Sequence, residues 1–176
     1  MKTRRFLIIS ILFLLGSTTY SIFPEGVNDE PEVKNFSPDT TQAQKAVDVE
    51  QIIEYAEQFI GVRYMYGGST PKGFDCSGFI QYVYKKFNCY LPRSAAAQGE
   101  VGDLVETKDY QPGDLIFFTG SKKIPGRAGH VGMIVKVHGE NDFDFIHAYS
   151  PKKKGIIVQN IRERKKAYLF VRRIFQ

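Results

Sequence analysis

Cys76, His130 and His147 are the residues whose types and positions could do chemistry together. Cys76 follows the turn-rich stretch Gly67-Gly68-Ser69-Thr70-Pro71-Lys72-Gly73 and stands where a helix is predicted to begin. Free backbone N–H groups and the helix dipole at such a start stabilise a thiolate. A thiolate is the competent nucleophile for acyl transfer. By position alone a buried structural cysteine accounts for Cys76 equally well.

The 3 histidines of the chain shift that balance. His130 opens a strand in Gly129-His130-Val131-Gly132, and His147 lies late in the next, in Phe145-Ile146-His147-Ala148. If the loop 138–141 sets Val137 opposite Asp142, position 132 faces 147. His147 is then a diagonal neighbour of His130 on one face, roughly 7–8 Å away, and Gly132 leaves room for its ring. One imidazole can then orient the other, which gives nucleophile, base and orienter. His138 lies about 26 Å further along the strand, at about 3.3 Å per residue, and reads as surface.

Two alternatives stay open on these residues. Cys76, His130, His147 and either Asp75 or Cys89 are zinc-ligand types, but the chain lacks the short Cys-x-x-Cys or His-x-x-x-His pairs of zinc sites. The three residues could also be unrelated polar groups.

Several elements must position them. Val49, Ile52, Ile53, Ala56, Phe59 and Ile60 recur at helical spacing until Gly61. Phe79, Ile80, Val83, Tyr84 and Phe87 form the stripe of a second helix from Cys76, with Asp75 as N-cap and Asn88 as its end. Ser94–Gln98 reads as a helical turn. After Pro112-Gly113 the pattern turns to strands: 114–118, 131–137 alternating, 143–145, 156–158 and 168–175. Helices first and antiparallel strands afterwards predict an α+β fold with about five to six strands.

The 176 residues allow one ordinary domain with extras. Near-average composition, 43% hydrophobic and 24% charged, excludes a disordered chain or a multi-span membrane protein. Two cysteines exclude a disulfide-stapled mini-protein. Lys2, Arg4 and Arg5, the apolar run Phe6–Leu15 and Gly16-Ser17-Thr18-Thr19 are laid out as a secretory signal peptide over residues 1–21. Thr19-Tyr20-Ser21 is one candidate cleavage site, and no stable membrane anchor is expected after cleavage. Removing residues 1–21 takes three cations and no anions from a +5 chain and leaves +2, so the charge argument for nucleic acid disappears. Residues 22–46, with Pro24, Pro31, Pro38 and five acidic residues among them, read as a flexible linker. The domain runs over 47–176.

The motifs Gly61-Val62-Arg63-Tyr64-Met65-Tyr66-Gly67-Gly68, Phe74-Asp75-Cys76-Ser77-Gly78-Phe79, Leu91-Pro92-Arg93, Gln111-Pro112-Gly113-Asp114-Leu115, Gly129-His130-Val131-Gly132 and Phe145-Ile146-His147-Ala148 resemble, in this order, NlpC-type cell-wall cysteine peptidases. The resemblance covers about 49–176. It implies a papain-like core, with Cys76 as nucleophile, His130 as general base and His147 as the orienting residue. It implies that Tyr64 lies near the oxyanion and that Asp75 helps bind a substrate amine. Ser77 and Ser94 complete the expected oxyanion and substrate-binding set.

The implied activity is secreted peptidoglycan endopeptidase, cleaving the D-γ-glutamyl–diamino-acid bond of stem peptides in the periplasm or cell-wall space. A monomer is expected, with no metal and no cofactor. Tyr66 stands where the family more often has Trp. Ala95 lacks the hydroxyl frequent there, and the hairpin between the histidines is longer than usual. A related thiol amidase or acyltransferase, or a catalytically silent wall-binding domain, shares the same motifs. Cys89 reads as buried, Lys152–Lys154 as a solvated turn, and Tyr64, Tyr66 and Tyr149 as candidate cleft residues.

Overall fold

A computed structural model of the chain describes residues 47–120, 124–150 and 155–175. The expected signal peptide and linker, and the Lys152–Lys154 turn, lie outside the described residues. Helix α1 spans Val49–Glu57, capped by Asp48, whose side chain accepts from Glu50 N–H. It ends one turn before Gly61 because Phe59 and Ile60 bond back to Ala56 and Glu57 as successive tight turns. Gly61 follows at φ +87°, and Ile60, predicted in the apolar stripe, is exposed.

Strands β1 (Ser69–Thr70) and β2 (Gly73–Phe74) make a small hairpin, and α2 (Cys76–Lys85) follows directly. Phe79, Ile80, Val83 and Tyr84 of α2 are fully buried, each contributing about 1.5–3 kcal/mol by burial. Asn88, at φ +59°, turns the chain beyond the helix. Helix α3 (Ala95–Gln98) is short and capped by Ser94.

The rest is a six-stranded antiparallel sheet. Its strands are β3 (Asp103–Val105), β4 (Leu115–Thr119), β5 (Ala128–Gly139), β6 (Asp142–Tyr149), β7 (Gly155–Asn160) and β8 (Tyr168–Arg173). The order is β3-β8-β4-β5-β6-β7. The α+β expectation and the strand number both hold. Side chains alternate across the sheet. Leu115, Phe117, Val131, Met133, Ile146 and Ala148 pack with α1 and α2 in one core. Ile116, Phe118, Ile134, Phe143, Phe145 and Val171 form a second core on the opposite face. Asp114, almost fully buried at the start of β4, is gripped by Arg173 of β8 at 2.8 and 2.9 Å.

The hairpin that carries the histidines departs from its expected form. Val137 pairs with Phe143 and Gly139 with Asp142, leaving only Glu140 and Asn141 as the loop. Two register shifts then intervene, between Ile134 and Lys136 and between Val137 and Gly139. They bring Ile134 opposite Phe145 and Met133 opposite Ile146. Continued by one residue, that register sets Gly132 facing His147. The anticipated facing is reached, but through a tighter loop and two irregularities rather than a four-residue loop.

Candidate active site

Cys76 is held from both flanks by the carboxylate before it. Asp75 Oδ1 accepts from Gly78 N–H at 2.7 Å, which is the expected N-cap bond of α2. Asp75 Oδ2 accepts from Gly67 N–H at 3.0 Å, tying the preceding loop to the helix start. Arg93 closes the arrangement in a two-pronged pair, Nη2 to Oδ2 at 2.6 Å and Nη1 to Oδ1 at 3.0 Å. Charge-assisted, bidentate bonds of this kind hold geometry as well as contribute energy. Ser77, also buried, donates to Asp75 Oδ1 and accepts from Arg93 Nη1 at 3.0 Å. Gln98 Nε2 of α3 bridges Ser77 and Pro92 carbonyls. Gly78 is required here, because a Cβ on it would lie 2.1 Å from the Gly68 carbonyl oxygen.

Asp75 therefore has both oxygens engaged by the chain itself. A substrate amine reaching it would compete with Arg93. Ser94 caps α3, its Oγ accepting from Ala97 N–H at 3.2 Å, and it also borders the cavity described below.

The Cys76 sulfur reaches the backbone N–H of Val131, the residue after His130 on β5. Across the hairpin, His130 Nε2 and His147 Nδ1 are 2.8 Å apart, with the rings edge to face. His147 Nε2 lies 3.2 Å from Gln159 Oε1 on β7. Phe145 and Tyr149 flank the His147 ring, and Phe118 flanks that of His130. His138 is apart from this group, hydrogen-bonded to Asp144 at 2.8 Å and exposed, as anticipated.

The electrostatics favour neutral groups. Burial pushes the Cys76 thiol above its ordinary value; the Val131 N–H opposes this, and the Asp75 charge adds to it. Burial drives His130 well below the ordinary histidine value, with further lowering from His147 and the Arg164 cation. His130 keeps some exposed surface, which tempers the burial effect. His147 is fully buried and its pKa falls to about 3 through burial and Arg164, against a smaller opposing effect of the Gln159 bond. The helix-start stabilisation expected for a resting thiolate is present but is outweighed by desolvation. Tyr64 is pushed up by burial and by Cys76 and Asp75, so its phenol stays protonated at neutral pH.

A cavity of about 660 Å³ opens beside Cys76. Tyr64, Asp75, Ser77, Arg93 and Ser94 line it on the helix side, and Arg127, Ala128 and Gly129 on the sheet side. Tyr66 stands at its rim, 92% exposed. Tyr149, expected in the cleft, instead packs on His147. Cys76 and Cys89 are both free, and Cys89 is half-buried rather than buried. No group of three or more His, Cys, Asp or Glu among the described residues is placed to hold a metal ion.

Sequence reading missed Gln159, Glu163 and Arg164. Gln159 shares a face with Ile157, the direct partner of His147 on β7, so only the strand register could have revealed it. Arg164 stacks over Phe118, its guanidinium 5.0 Å from the ring, and its Nε is buried without a partner among the described residues. In sequence it is one of many basic residues in a polar run, with nothing to mark it.

Residues 61–173 match the NlpC/P60 family, and the chain belongs to that family. It is 34% identical over 161 residues to the murein DD-endopeptidase MepS/murein LD-carboxypeptidase of Escherichia coli strain K12, covering 84% of this chain and 80% of that protein. It is 37% identical over 93 residues to the gamma-D-glutamyl-L-lysine dipeptidyl-peptidase of Bacillus subtilis, covering 53% of this chain and 31% of that enzyme. It is 47% identical over 74 residues to the Bacillus subtilis gamma-DL-glutamyl hydrolase, of which it spans 18%. Among solved structures, the NlpC/P60 domain of the peptidoglycan hydrolase SagA superposes with a TM-score of 0.59 at 30% identity, over 72% of this chain and 98% of that one. An NlpC/P60 family protein from Bacillus cereus gives a TM-score of 0.65 at 27% identity, over 74% of this chain and 41% of that one. The papain-like, α+β expectation holds in these neighbours. No helix among the described residues is long and apolar enough to cross a membrane.

Proposed function

We propose that the chain is an exported peptidoglycan endopeptidase that cleaves the D-γ-glutamyl–diamino-acid bond by thiol catalysis at Cys76. The observation that carries this reading is the His130–His147 pair at 2.8 Å in an NlpC/P60 domain, with the Cys76 sulfur on the N–H of Val131, the residue next to His130, and a cavity beside Cys76. His130, bonded to His147 through Nε2, has Nδ1 left for the thiol.

As substrate binds, the Cys76 proton passes to His130 Nδ1 and the sulfur bonds to the scissile carbonyl carbon. The neutral resting pair makes this transfer part of the attack rather than a step before it. The oxyanion takes hydrogen bonds from backbone N–H groups at the helix start and from the protonated Tyr64 phenol. Collapse breaks the C–N bond, and the His130 proton leaves with the amine. Water then attacks the thioester, giving its proton to His130 and releasing the acid and the thiol. Arg127 borders the cavity and matches a substrate rich in carboxylates.

The basic start and apolar run of residues 1–15 support export, and peptidoglycan lies outside the cytoplasm. The family names support a wall substrate, and the two Bacillus subtilis enzymes support a γ-glutamyl bond. The Escherichia coli relative, matched over most of both chains, is named a DD-endopeptidase, so cleavage of the DD cross-link is the second reading. Digestion of purified peptidoglycan and defined stem peptides, with products identified by mass spectrometry, separates the two. New D-γ-glutamyl carboxyl ends support the first. Uncrosslinked but otherwise intact stem peptides support the second, and unaltered wall with wild-type protein would overturn both.

A further inference from the structure

The histidine pair can act as drawn only in one arrangement of its protons, and the chain contains a device that selects it. Each neutral imidazole carries one N–H, on either nitrogen. Only one hydrogen lies between His130 Nε2 and His147 Nδ1, at 2.8 Å. If His147 donates it, His130 must hold its own proton on Nδ1, and that nitrogen cannot take one from Cys76.

The choice is made two residues away. Glu163, in the single helical turn Ile161–Glu163 after β7, accepts from Gln159 Nε2 at 2.9 Å. A carboxylate accepts and does not donate, so the Gln159 amide must turn its nitrogen to Glu163 and its oxygen to His147. That oxygen, 3.2 Å from His147 Nε2, requires an N–H there. His147 Nδ1 is then an acceptor, the shared hydrogen belongs to His130 Nε2, and His130 Nδ1 is the bare, basic nitrogen.

We infer that Gln159, oriented by Glu163, is a positioning residue that fixes the proton arrangement of the His147–His130 pair and so makes His130 the base toward Cys76. It acts on the shape of the site without touching substrate, much as outer partners orient metal-bound histidines. The inference rests on the proposed thiol mechanism. The other titratable groups against the pair are Tyr149 from β6 and the Arg164 cation from the turn beyond β7, and the Cys76 sulfur of α2 reaches Val131, the residue next to His130. All three remain in the variants below.

The test compares Gln159→Met, and Gln159→Glu combined with Glu163→Gln, with wild type. Gln159→Met keeps length and removes the acceptor; kcat is expected to fall on the order of 10-fold with KM unchanged. Histidine side-chain nitrogen NMR should then show His147 no longer held as the Nε2–H form. Gln159→Glu, made together with Glu163→Gln so that an amide rather than a second carboxylate faces it, restores an acceptor, so kcat should recover, while the acidic limb of the kcat profile moves to higher pH because a carboxylate favours the imidazolium. Melting curves establish that both variants fold; if Gln159→Met does not, Glu163→Ala, which frees the amide to rotate, takes its place with the same expectations. Wild-type kcat with unchanged histidine signals in the acceptor-less variant would overturn the inference. An inactive wild type would overturn the functional reading instead, and the nitrogen signals would still decide the proton arrangement.

Discussion

Gly132 and His147 face each other across β5 and β6 so closely that a Cβ on Gly132 would lie 3.2 Å from the Cβ of His147. The same added atom would sit 2.8 Å from the Phe145 ring and 3.0 Å from the Ile146 carbonyl. The missing side chain is therefore what lets a buried imidazole stand upright between two strands.

Gly132→Ala should displace His147 from its 2.8 Å contact with His130. Overpacking of this kind costs about 1–3 kcal/mol, and kcat should fall by more than the loss of folded protein explains. Urea denaturation alongside kcat on folded protein measures the two separately. Unaltered stability and rate would contradict the crowding described.

Thiol reactivity should report the neutral resting state. Burial pushes Cys76 above its ordinary value, and no imidazolium stands beside it to reverse that. Alkylation of Cys76 by iodoacetamide should be slow near pH 7 and climb through pH 9, followed by peptide mass spectrometry to separate it from Cys89. A fast plateau from pH 5 to 8 would indicate a preformed thiolate–imidazolium pair.

Folding stability should weaken in mild acid. His147 is depressed to about 3 and His130 is depressed as well, against an ordinary 6.5. Below 6.5 the unfolded chain binds protons that the folded chain does not, so stability falls as pH drops from 6.5 toward 3. Above 6.5 both states are neutral and the pair contributes no slope. The limit is about 1.4 kcal/mol per pH unit for each histidine. Denaturation midpoints between pH 8 and 4 test this, and His147→Gln should flatten the curve.

Arg93→Ala should loosen the start of α2. It removes both prongs on Asp75 and the bond to Ser77, while Gly67 and Gly78 N–H groups remain on the carboxylate. Arg93 is part exposed, with 41% of its side chain accessible, so the expected loss is modest, about 1 kcal/mol. Activity should fall further than stability, because Cys76 is the next residue after the one released. Melting temperature and turnover, measured together, distinguish this from a purely structural effect.

Periodicity and cap chemistry make much of the site legible. Asp75 before Cys76 predicts a helix start with the cysteine at its first position, and the alternation in 131–137 and 143–145 predicts the hairpin with both histidines on one face. A four-residue loop predicts the same facing of Gly132 and His147 as the observed two-residue loop, because the irregularities near Val135 and His138 absorb the difference. β3 escapes prediction because three residues in a polar surround carry no alternation. Gln159 and Arg164 escape it for another reason. Their meaning depends on which strand lies beside which, and that order, β5-β6-β7, is a property of the folded sheet rather than of any local stretch. For Asp75 the helix cap is legible, but the grip of Arg93 and of the Gly67 N–H is not, since both come from outside α2.

β7 is an edge of the sheet. It pairs with β6 along its length, and at Ile156 the loop residue Val62 also braces it. Past Ile156 no further strand among the described residues backs it, and Val158 is 41% exposed. Edge strands open at lower free energy than interior ones. Gln159 lies in that unbraced half, so a local fraying of the sheet margin would release the amide and let the histidine protons redistribute. On the proposed thiol mechanism, turnover would then depend on the integrity of that border, and a chain that paired with the free side of β7 would steady the base from outside the active site.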